Sequence, residues 1–211
     1  MALQQFYVHG VIAGPEPCYW ANARGAQRLH TLALAQSELD GSCGVVCVLQ
    51  AAMVLCGLPR TSVVALATTR EPMLRRLWQL AHLRYFHGTT PADLVECVGA
   101  FAPRLTARVR RVRSNRWTAS LVRTSIDGGA VPIVGFAGAR FSHWALIVGL
   151  ELDAESSGST LLLLDPGFPE PAMGIYNARL QLDIELVQYV KPGQTPTAVR
   201  LSEIVLVQRV D

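Results

Sequence analysis

Residues 42–57 read SCGVVCVLQAAMVLCG, and they form the first firm structural element that the sequence predicts. Ser42 is a favoured helix N-cap residue, and Gly57 with Pro59 just beyond it marks the C-terminal end. Almost every position between them is apolar, which predicts a helix buried on most sides. Cys43 falls in the first turn, where the positive end of the helix dipole favours the thiolate, the nucleophilic form of cysteine. The preceding segment is polar and glycine-rich, so we expect the helix start to be open to a substrate.

The composition is that of a globular protein with an ample core. The 211 residues are 50% hydrophobic and 17% charged, and this length suits one domain spanning residues 1–211. No run approaches the ~20 apolar residues of a membrane-spanning helix, and the N-terminus lacks the basic and apolar regions of a secretory signal. We therefore expect no membrane association, and either a cytoplasmic protein or one exported without an N-terminal signal peptide.

The five cysteines do not suggest a disulfide framework, because their number is odd and they are spread along the chain. Cys18, Cys56 and Cys97 sit among apolar neighbours. We interpret these three and Cys47 as inert packing residues. No CxxC pair is present, so the sequence predicts no metal site, and nothing in it indicates a cofactor.

Helices are predicted in the first half of the chain and strands in the second. Residues 1–35 give no firm pattern, whereas one or two helices are expected within 62–86. In HGTTPADLVECVGAF, Thr90 can cap a helix with Pro91 in its first turn. The runs VPIVGFA, HWALIVGLEL, STLLLLDPG and EIVLVQRV are rich in β-branched and aliphatic residues, which predicts antiparallel strands. The layout is that of an α+β domain, with the helix of Cys43 packed on an antiparallel sheet.

A base for Cys43 follows from the strand pattern. His143 begins the strand HWALIVGLEL, and Asp165 ends the next strand, STLLLLDPG. In an antiparallel pair the start of one strand lies beside the end of the other, so these two side chains are expected to meet. A cysteine nucleophile, a histidine base and an orienting carboxylate together form a hydrolytic triad. An aspartate before Pro-Gly is also a common turn former, so a purely structural role for Asp165 stays open at this point.

The other histidines have no such arrangement. We interpret them as surface or core polar residues: His9, His30, His82 and His87.

Several motifs occur in a fixed order: Gln36, DGSCG at 40–44, GTTPADLVE at 88–96, HWALIVG at 143–149 and LLDPG at 163–167. As a set they resemble the papain-like cysteine peptidase superfamily, and within it the peptidases that trim double-glycine leaders from bacteriocin precursors and their stand-alone relatives. The resemblance covers about residues 34–170, and 171–211 have no counterpart in it. It implies a papain-like cysteine protease fold with a triad of Cys43, His143 and Asp165. It also implies that Gln36 contributes its side-chain amide to the oxyanion hole.

The neighbours of the nucleophile form the expected substrate-binding surface. Gly41 and Gly44 would let a substrate approach the backbone closely, and Ser42 lies between them. Trp144, next to the histidine, is expected to shield the site or to pack against the imidazole ring.

The sequence therefore predicts a cysteine peptidase that acts on a peptide or protein substrate through a thioester intermediate. The same residues would serve a glutamine deamidase or a transglutaminase-type acyl transferase, which differ in pocket shape rather than in the triad. A catalytically silent papain-like binding module is the third alternative.

The stretch from Arg104 to Arg123 carries seven arginines and no acidic residue. Its first part, LTARVRRVRS, alternates apolar residues with arginines, which predicts a half-exposed strand. Trp117 is the only aromatic residue in the stretch, so base stacking has little support and nucleic acid is not the expected partner. An acidic protein partner is the alternative that this stretch suggests.

Overall fold

The computed structural model describes residues 3–12, 17–23, 26–36, 41–153, 158–169, 171, 174–183 and 186–210. The strands within these ranges are β1 (Leu3–Tyr7), β2 (Val11–Ile12), β3 (Cys18–Ala23), β4 (Ala26–Thr31), β5 (Leu105–Arg111), β6 (Val131–Ala137), β7 (Ser142–Asp153), β8 (Ser159–Leu164), β9 (Ala178–Leu182), β10 (Val187–Val190) and β11 (Thr197–Arg209). The helices are α1 (Cys43–Cys56), α2 (Arg60–Val64), α3 (Pro72–Ala81), α4 (Pro91–Gly99) and α5 (Asn115–Asp127). A 3₁₀ turn, His82–Tyr85, follows α3.

Six consecutive strands, β6 to β11, close into an antiparallel barrel. Each pairs with the next along the chain, and β11 pairs back with β6 to complete the ring. Strand β1 pairs with the second half of β7, and β5 with the second half of β11, so both extend the barrel sheet. The predicted strands in the second half of the chain are all present, and the barrel adds β9 and β10, which the sequence patterns did not indicate.

Helix α1 runs through the centre of the molecule and packs against β7. Its residues from Cys43 to Met53 are buried, as the apolar stretch predicts. It ends at Gly57 in the left-handed conformation with φ 62°, which glycine adopts at little cost. The expected capping by Ser42 is wrong: Ser42 occupies the N-cap position, but its side chain makes no capping hydrogen bond. Its carbonyl oxygen accepts from Val46 N at 2.9 Å and so starts the helical ladder.

The start of α4 is capped as predicted. The Thr90 side chain accepts from Asp93 N, and the Asp93 carboxylate accepts from Thr90 N at 2.8 Å, which together form a capping box. Pro91 occupies the first turn, where its missing N–H leaves no helical hydrogen bond unmade.

Strand β5 has the predicted alternation. Leu105 is buried, whereas Arg108 and Arg110 are exposed. The strand lies at the edge of the barrel sheet. Seven residue pairs join it to β11, from Leu105↔Arg209 to Arg111↔Glu203.

The helical part of the fold begins only at Cys43, after four short strands. Strand β1 joins the barrel sheet, whereas β2, β3 and β4 form a separate three-stranded sheet. None of the helices in the described ranges is long and apolar enough to cross a bilayer.

Candidate active site

The strand register brings His143 and Asp165 together. His143 is the second residue of β7, and Asp165 directly follows β8, whose last residue, Leu164, pairs with Leu146. His143 Nε2 lies 2.6 Å from Asp165 Oδ1, so the ring donates a hydrogen bond to the carboxylate. This is the contact that antiparallel strand pairing predicts.

Cys43 is the second group that interacts with this ring. It lies at the N-terminal end of α1, which packs on β7, and its side chain hydrogen bonds with His143. Because Nε2 is engaged by Asp165, Nδ1 is the ring nitrogen that remains available to a thiol.

The charge state of His143 follows from these contacts. Burial lowers the pKa of the ring, but the hydrogen bonds and negative charges of Asp165 and Cys43 outweigh burial and raise the pKa to about 9. The ring is therefore protonated at neutral pH.

The same shifts set the pH dependence of the fold. The ordinary pKa of histidine is 6.5, so the contribution of His143 to stability is complete below that value and is lost as the pH rises through about 9. For Asp165 the sign is opposite. Burial raises the pKa of this carboxyl, but hydrogen bonds from His143, Tyr189 and Gly167 hold it below its ordinary 3.8, so that contribution is lost as the pH falls.

Tyr189 on β10 is a site residue that the sequence patterns did not indicate. Its hydroxyl donates to Asp165 Oδ2, the oxygen that His143 does not use. Tyr189 is buried, and burial beside the negative Asp165 raises the pKa of the phenol, so the hydroxyl keeps its proton. A buried tyrosine usually needs a partner for its hydroxyl, and this was the only signal in the sequence that could have indicated the contact.

Asn177, the residue before β9, fixes the turn that carries Asp165. Its side-chain oxygen accepts from Asp165 N at 2.7 Å, and its side-chain nitrogen donates to Asp165 O at 2.9 Å. Gly167 N also donates to Asp165 Oδ1 at 2.7 Å. Both carboxylate oxygens and the backbone of Asp165 are thus held in place. These contacts fix the position of the carboxylate beside His143.

Aromatic rings cover the imidazole. Phe136 on β6 stands edge-on to His143 with 5.5 Å between the ring centres, and it also contacts Tyr189 at 4.8 Å. Phe141 packs against Phe136 and is partly exposed. In the described part of the chain, Phe136 is therefore the ring packed on the histidine. Of the two roles expected of Trp144, packing against the imidazole is wrong, and Trp144 lines the cleft at Cys43 instead. Trp144 follows His143 in the strand, and neighbouring residues in a strand point to opposite faces.

A cleft of about 460 Å³ opens at Cys43. Its other lining residues are Gly41, Phe86, His87, Gly88, Thr89, Thr90, Ser142 and Trp144. Trp144 forms part of this wall, because its indole N–H donates to Thr89 O at 2.9 Å. The cleft therefore lies between the segment before α4 and the start of β7, and the buried Cys43 is one of its lining residues.

The glycines around Cys43 have different surroundings. Gly41 lines the cleft, and its N–H donates to Tyr85 O. A Cβ at Gly44 would lie 2.1 Å from Thr89 Oγ1 and 2.8 Å from Leu94 Cδ2, so close packing accounts for this glycine. Ser42 and Gly44 are buried, and only Gly41 of the three faces the cleft. Asp40 of the DGSCG motif lies outside the described residues.

Gln36 lies beside the turn of Asp165. Its backbone N–H donates to Pro166 O at 2.8 Å. Its side-chain Oε1 is buried without a hydrogen-bond partner in the described part of the chain. No hydrogen bond therefore holds the amide at Oε1. The role that the resemblance implies for Gln36 stays a prediction.

The other thiols lack these surroundings. Cys47, one turn after Cys43, is buried, and burial together with the negative charges of Cys43 and Asp165 holds the pKa of its thiol well above the usual range. Burial also raises the pKa of Cys97. Of the histidines interpreted as polar packing residues, His82 bonds to the Trp78 carbonyl at 3.1 Å, and His30 packs on the ring of Tyr19.

No family model and no curated protein matches this chain. Among solved structures of similar fold is UfSP from C. elegans, a papain-like cysteine protease, with a TM-score of 0.50 and 11% sequence identity. The match covers 99% of this chain but only 34% of the UfSP chain, so this chain spans about a third of that protein. The likeness concerns the fold, and the chain has a papain-like cysteine protease fold. The finer resemblance to bacteriocin leader peptidases is not shown by these comparisons and stays a prediction.

Proposed function

We propose that this protein is a cysteine peptidase that hydrolyses a peptide or amide bond, with Cys43 as nucleophile, His143 as acid and base, and Asp165 orienting the histidine. The observation that carries the proposal is that His143 interacts with both Asp165 and Cys43. One ring nitrogen donates to the buried Asp165 at 2.6 Å, and the ring also bonds with the thiol at the start of α1. A nucleophile, a base within reach and a third group that orients the base are the signature of covalent acyl transfer.

The reaction follows from this arrangement. The Cys43 thiolate attacks the carbonyl carbon, and the carbonyl oxygen takes up the negative charge of the tetrahedral intermediate. When the C–N bond breaks, the proton on His143 Nδ1 passes to the leaving amine, and a thioester remains on Cys43. Water then attacks the thioester and gives a proton to the now neutral ring. The C–S bond breaks, the acid product leaves, and the thiolate and the imidazolium are restored.

The oxyanion needs donors that point at it before the reaction begins. The backbone N–H groups of the first helical turn have no partner within their own helix, and Cys43 lies in that turn of α1. Gln36 is the proposed second donor. Because no hydrogen bond holds its Oε1, the amide can present its Nε2 to the substrate without breaking a bond at that oxygen.

The cleft supports a peptide substrate. It is about 460 Å³ in volume, within the range of ordinary ligand sites, and Phe86 and Trp144 give it apolar walls. The likeness to a papain-like cysteine protease agrees with hydrolase chemistry, although it bears on the fold alone. Among the alternatives, deamidation or acyl transfer would use the same triad with a glutamine side chain as the acyl donor.

A peptide library tests the proposal. A complex mixture of peptides is incubated with the wild-type protein, with Cys43→Ala, and with Cys56→Ala as the matched thiol control, and new termini are identified by mass spectrometry. Cleavage that is lost in Cys43→Ala and kept in Cys56→Ala supports a peptidase. Ammonia release from glutaminyl peptides with an intact backbone would instead identify a deamidase. If wild type and Cys43→Ala leave every peptide unchanged, the fold serves binding.

A further inference from the structure

A second cavity lies at the opposite end of α1 from the thiol of the site. The helix has 14 residues, so its last residue, Cys56, lies roughly 20 Å from Cys43 along the helix axis. The cavity is about 450 Å³ in volume, similar to the cleft at Cys43. Its lining shares no residue with that cleft.

The floor of this cavity is apolar. It is formed by Val54, Leu55 and Cys56, which are half-buried, whereas the preceding residues of α1 are buried throughout. The helix therefore leaves the core at this point with apolar side chains still facing outward. Burial of such a surface by a ligand would be favourable.

The three-stranded sheet of β2, β3 and β4 adds apolar side chains to the wall of the cavity. Trp20 on β3 lines the cavity and is 51% exposed. It pairs directly with Leu29 on β4, which is 49% exposed, so the two side chains lie on the same face. Val210 adds a further exposed apolar side chain to the lining. Exposed apolar side chains therefore continue beyond the cavity, from Trp20 to Leu29, and an extended ligand such as a peptide could contact both, unlike a small anion.

The rim is basic. Arg104 and Arg209 both line the cavity, and the pairing of β5 with β11 holds them close, since Val210 N donates to Arg104 O at 2.8 Å. Neither guanidinium has a carboxylate partner within the described part of the chain. The nearby carboxylate of Glu71 is engaged by Met73 N at 2.7 Å, where it caps α3.

We propose that this cavity is a docking site for an acidic peptide segment of a partner protein, with one aromatic or aliphatic side chain of that segment seated on the apolar floor. Carboxylates of the segment pair with Arg104 and Arg209, and Trp20 contacts the apolar side chain. The two arginines favour a partner segment that carries negative charge. Trp20 and the apolar floor favour a segment with an aromatic or aliphatic side chain that can be buried there. The arginines at 108 and 110 alternate outward along β5 and do not line the cavity, so the site does not require the whole basic stretch.

The test measures binding and needs no turnover. Fluorescence anisotropy follows a labelled octapeptide of glutamates around a single phenylalanine, added to the Cys43→Ala protein. The companion probes carry serine in place of phenylalanine, or lysines in place of the glutamates. Arg104→Glu with Arg209→Glu is compared with Arg108→Glu with Arg110→Glu, which changes the net charge equally at positions outside the cavity.

We expect the acidic phenylalanine peptide to bind, and the Arg104/Arg209 pair of substitutions to weaken it by about tenfold or more. The matched pair should change binding by less than about twofold, and the lysine peptide should not bind. Trp20→Ala should remove the difference between the phenylalanine and serine peptides.

Three results would overturn the site. These are no binding of the acidic peptide, equal weakening by both pairs of arginine substitutions, or displacement of the peptide by a single-stranded oligonucleotide at lower concentration than by unlabelled peptide. None of them bears on the peptidase proposal, because the site is assayed without the nucleophile. Loss of cleavage with intact peptide binding would affect only the proposed function.

Discussion

The two ends of helix α1 each carry a thiol in very different surroundings. Cys43, at the N-terminal end, bonds with an imidazole that a buried carboxylate holds. Cys56, at the C-terminal end, is half-buried. Burial raises the pKa of its thiol although Arg104 and Arg209 oppose the shift. The proposed nucleophile thus has a proton acceptor beside it and lies at the positive end of the helix, whereas Cys56 merely lies near positive charge.

The largest difference between the two ends of α1 should appear in activity when each thiol is removed separately. Cys43→Ala should lower kcat/KM for any cleaved peptide by roughly 10⁴-fold or more, since no other group can form the thioester. Cys56→Ala should leave kcat/KM within about twofold, because it removes only a small half-buried side chain. Steady-state kinetics with matched protein concentrations measure both. Equal losses in the two variants would mean that the ends of α1 do not differ as proposed.

The next largest effect is expected at the group that orients the base. Asp165→Asn should lower kcat/KM by roughly 10²–10⁴-fold, because an amide can present its NH₂ to His143 Nε2 and so favour the wrong tautomer. Asp127→Asn, which removes an exposed carboxylate on α5, is the control. An Asp165→Asn protein with full activity and an unchanged Tm would restrict Asp165 to the role of a turn former.

The pair His143–Asp165 was predictable from the sequence because it is a local consequence of strand pairing. Two adjacent strands joined by a hairpin put the start of one beside the end of the other, whatever the rest of the fold does. The capping box of Thr90 and Asp93 was predictable for the same reason, since its residues are three apart.

The contacts of Tyr189 and Asn177 were not predictable in this way. Tyr189 reaches Asp165 only because β10 is placed by β9 on one side and β11 on the other. Strands of four or five residues carry too short a pattern to be distinguished without their partners. The hairpin of β3 and β4 was not predicted either, because polar residues interrupt the apolar residues of both strands.

Substitution of Tyr189 is a more specific test of the site at the N-terminal end of α1, with a smaller expected effect. Tyr189→Phe should lower kcat by about tenfold, because Asp165 Oδ2 loses its donor and a buried carboxylate oxygen is left unsatisfied. With less hydrogen bonding to its charge, Asp165 should hold the proton on His143 more strongly, so the alkaline limb of the pH–kcat/KM profile should move to higher pH. Tyr176→Phe, which removes a hydroxyl contacted by Arg179, is the control. A lower Tm with an unmoved alkaline limb would assign Tyr189 to packing alone.

The smallest effect concerns the packing of the first turn of α1. Gly44→Ala should destabilise the fold by about 1–3 kcal/mol, because the added Cβ would meet Thr89, Leu94 and Trp144. Gly99→Ala at the end of α4, where a Cβ meets nothing within 4 Å, should be neutral or stabilising by up to about 1 kcal/mol. Urea unfolding of both variants measures the difference. Equal stability of the two would show that the first turn of α1 is looser than described.

Alkylation by a low dose of iodoacetamide, followed by intact mass measurement from pH 5 to 9.5, shows whether Cys43 and His143 form an activated pair. An ordinary thiol with a pKa of about 8.5 is well under about 1% thiolate at pH 6 and reacts slowly there. We expect one adduct that forms quickly at pH 6, is absent in Cys43→Ala and forms much more slowly in His143→Ala. Labelling that rises only with pH, spreads to Cys56 and is indifferent to His143 would contradict this expectation.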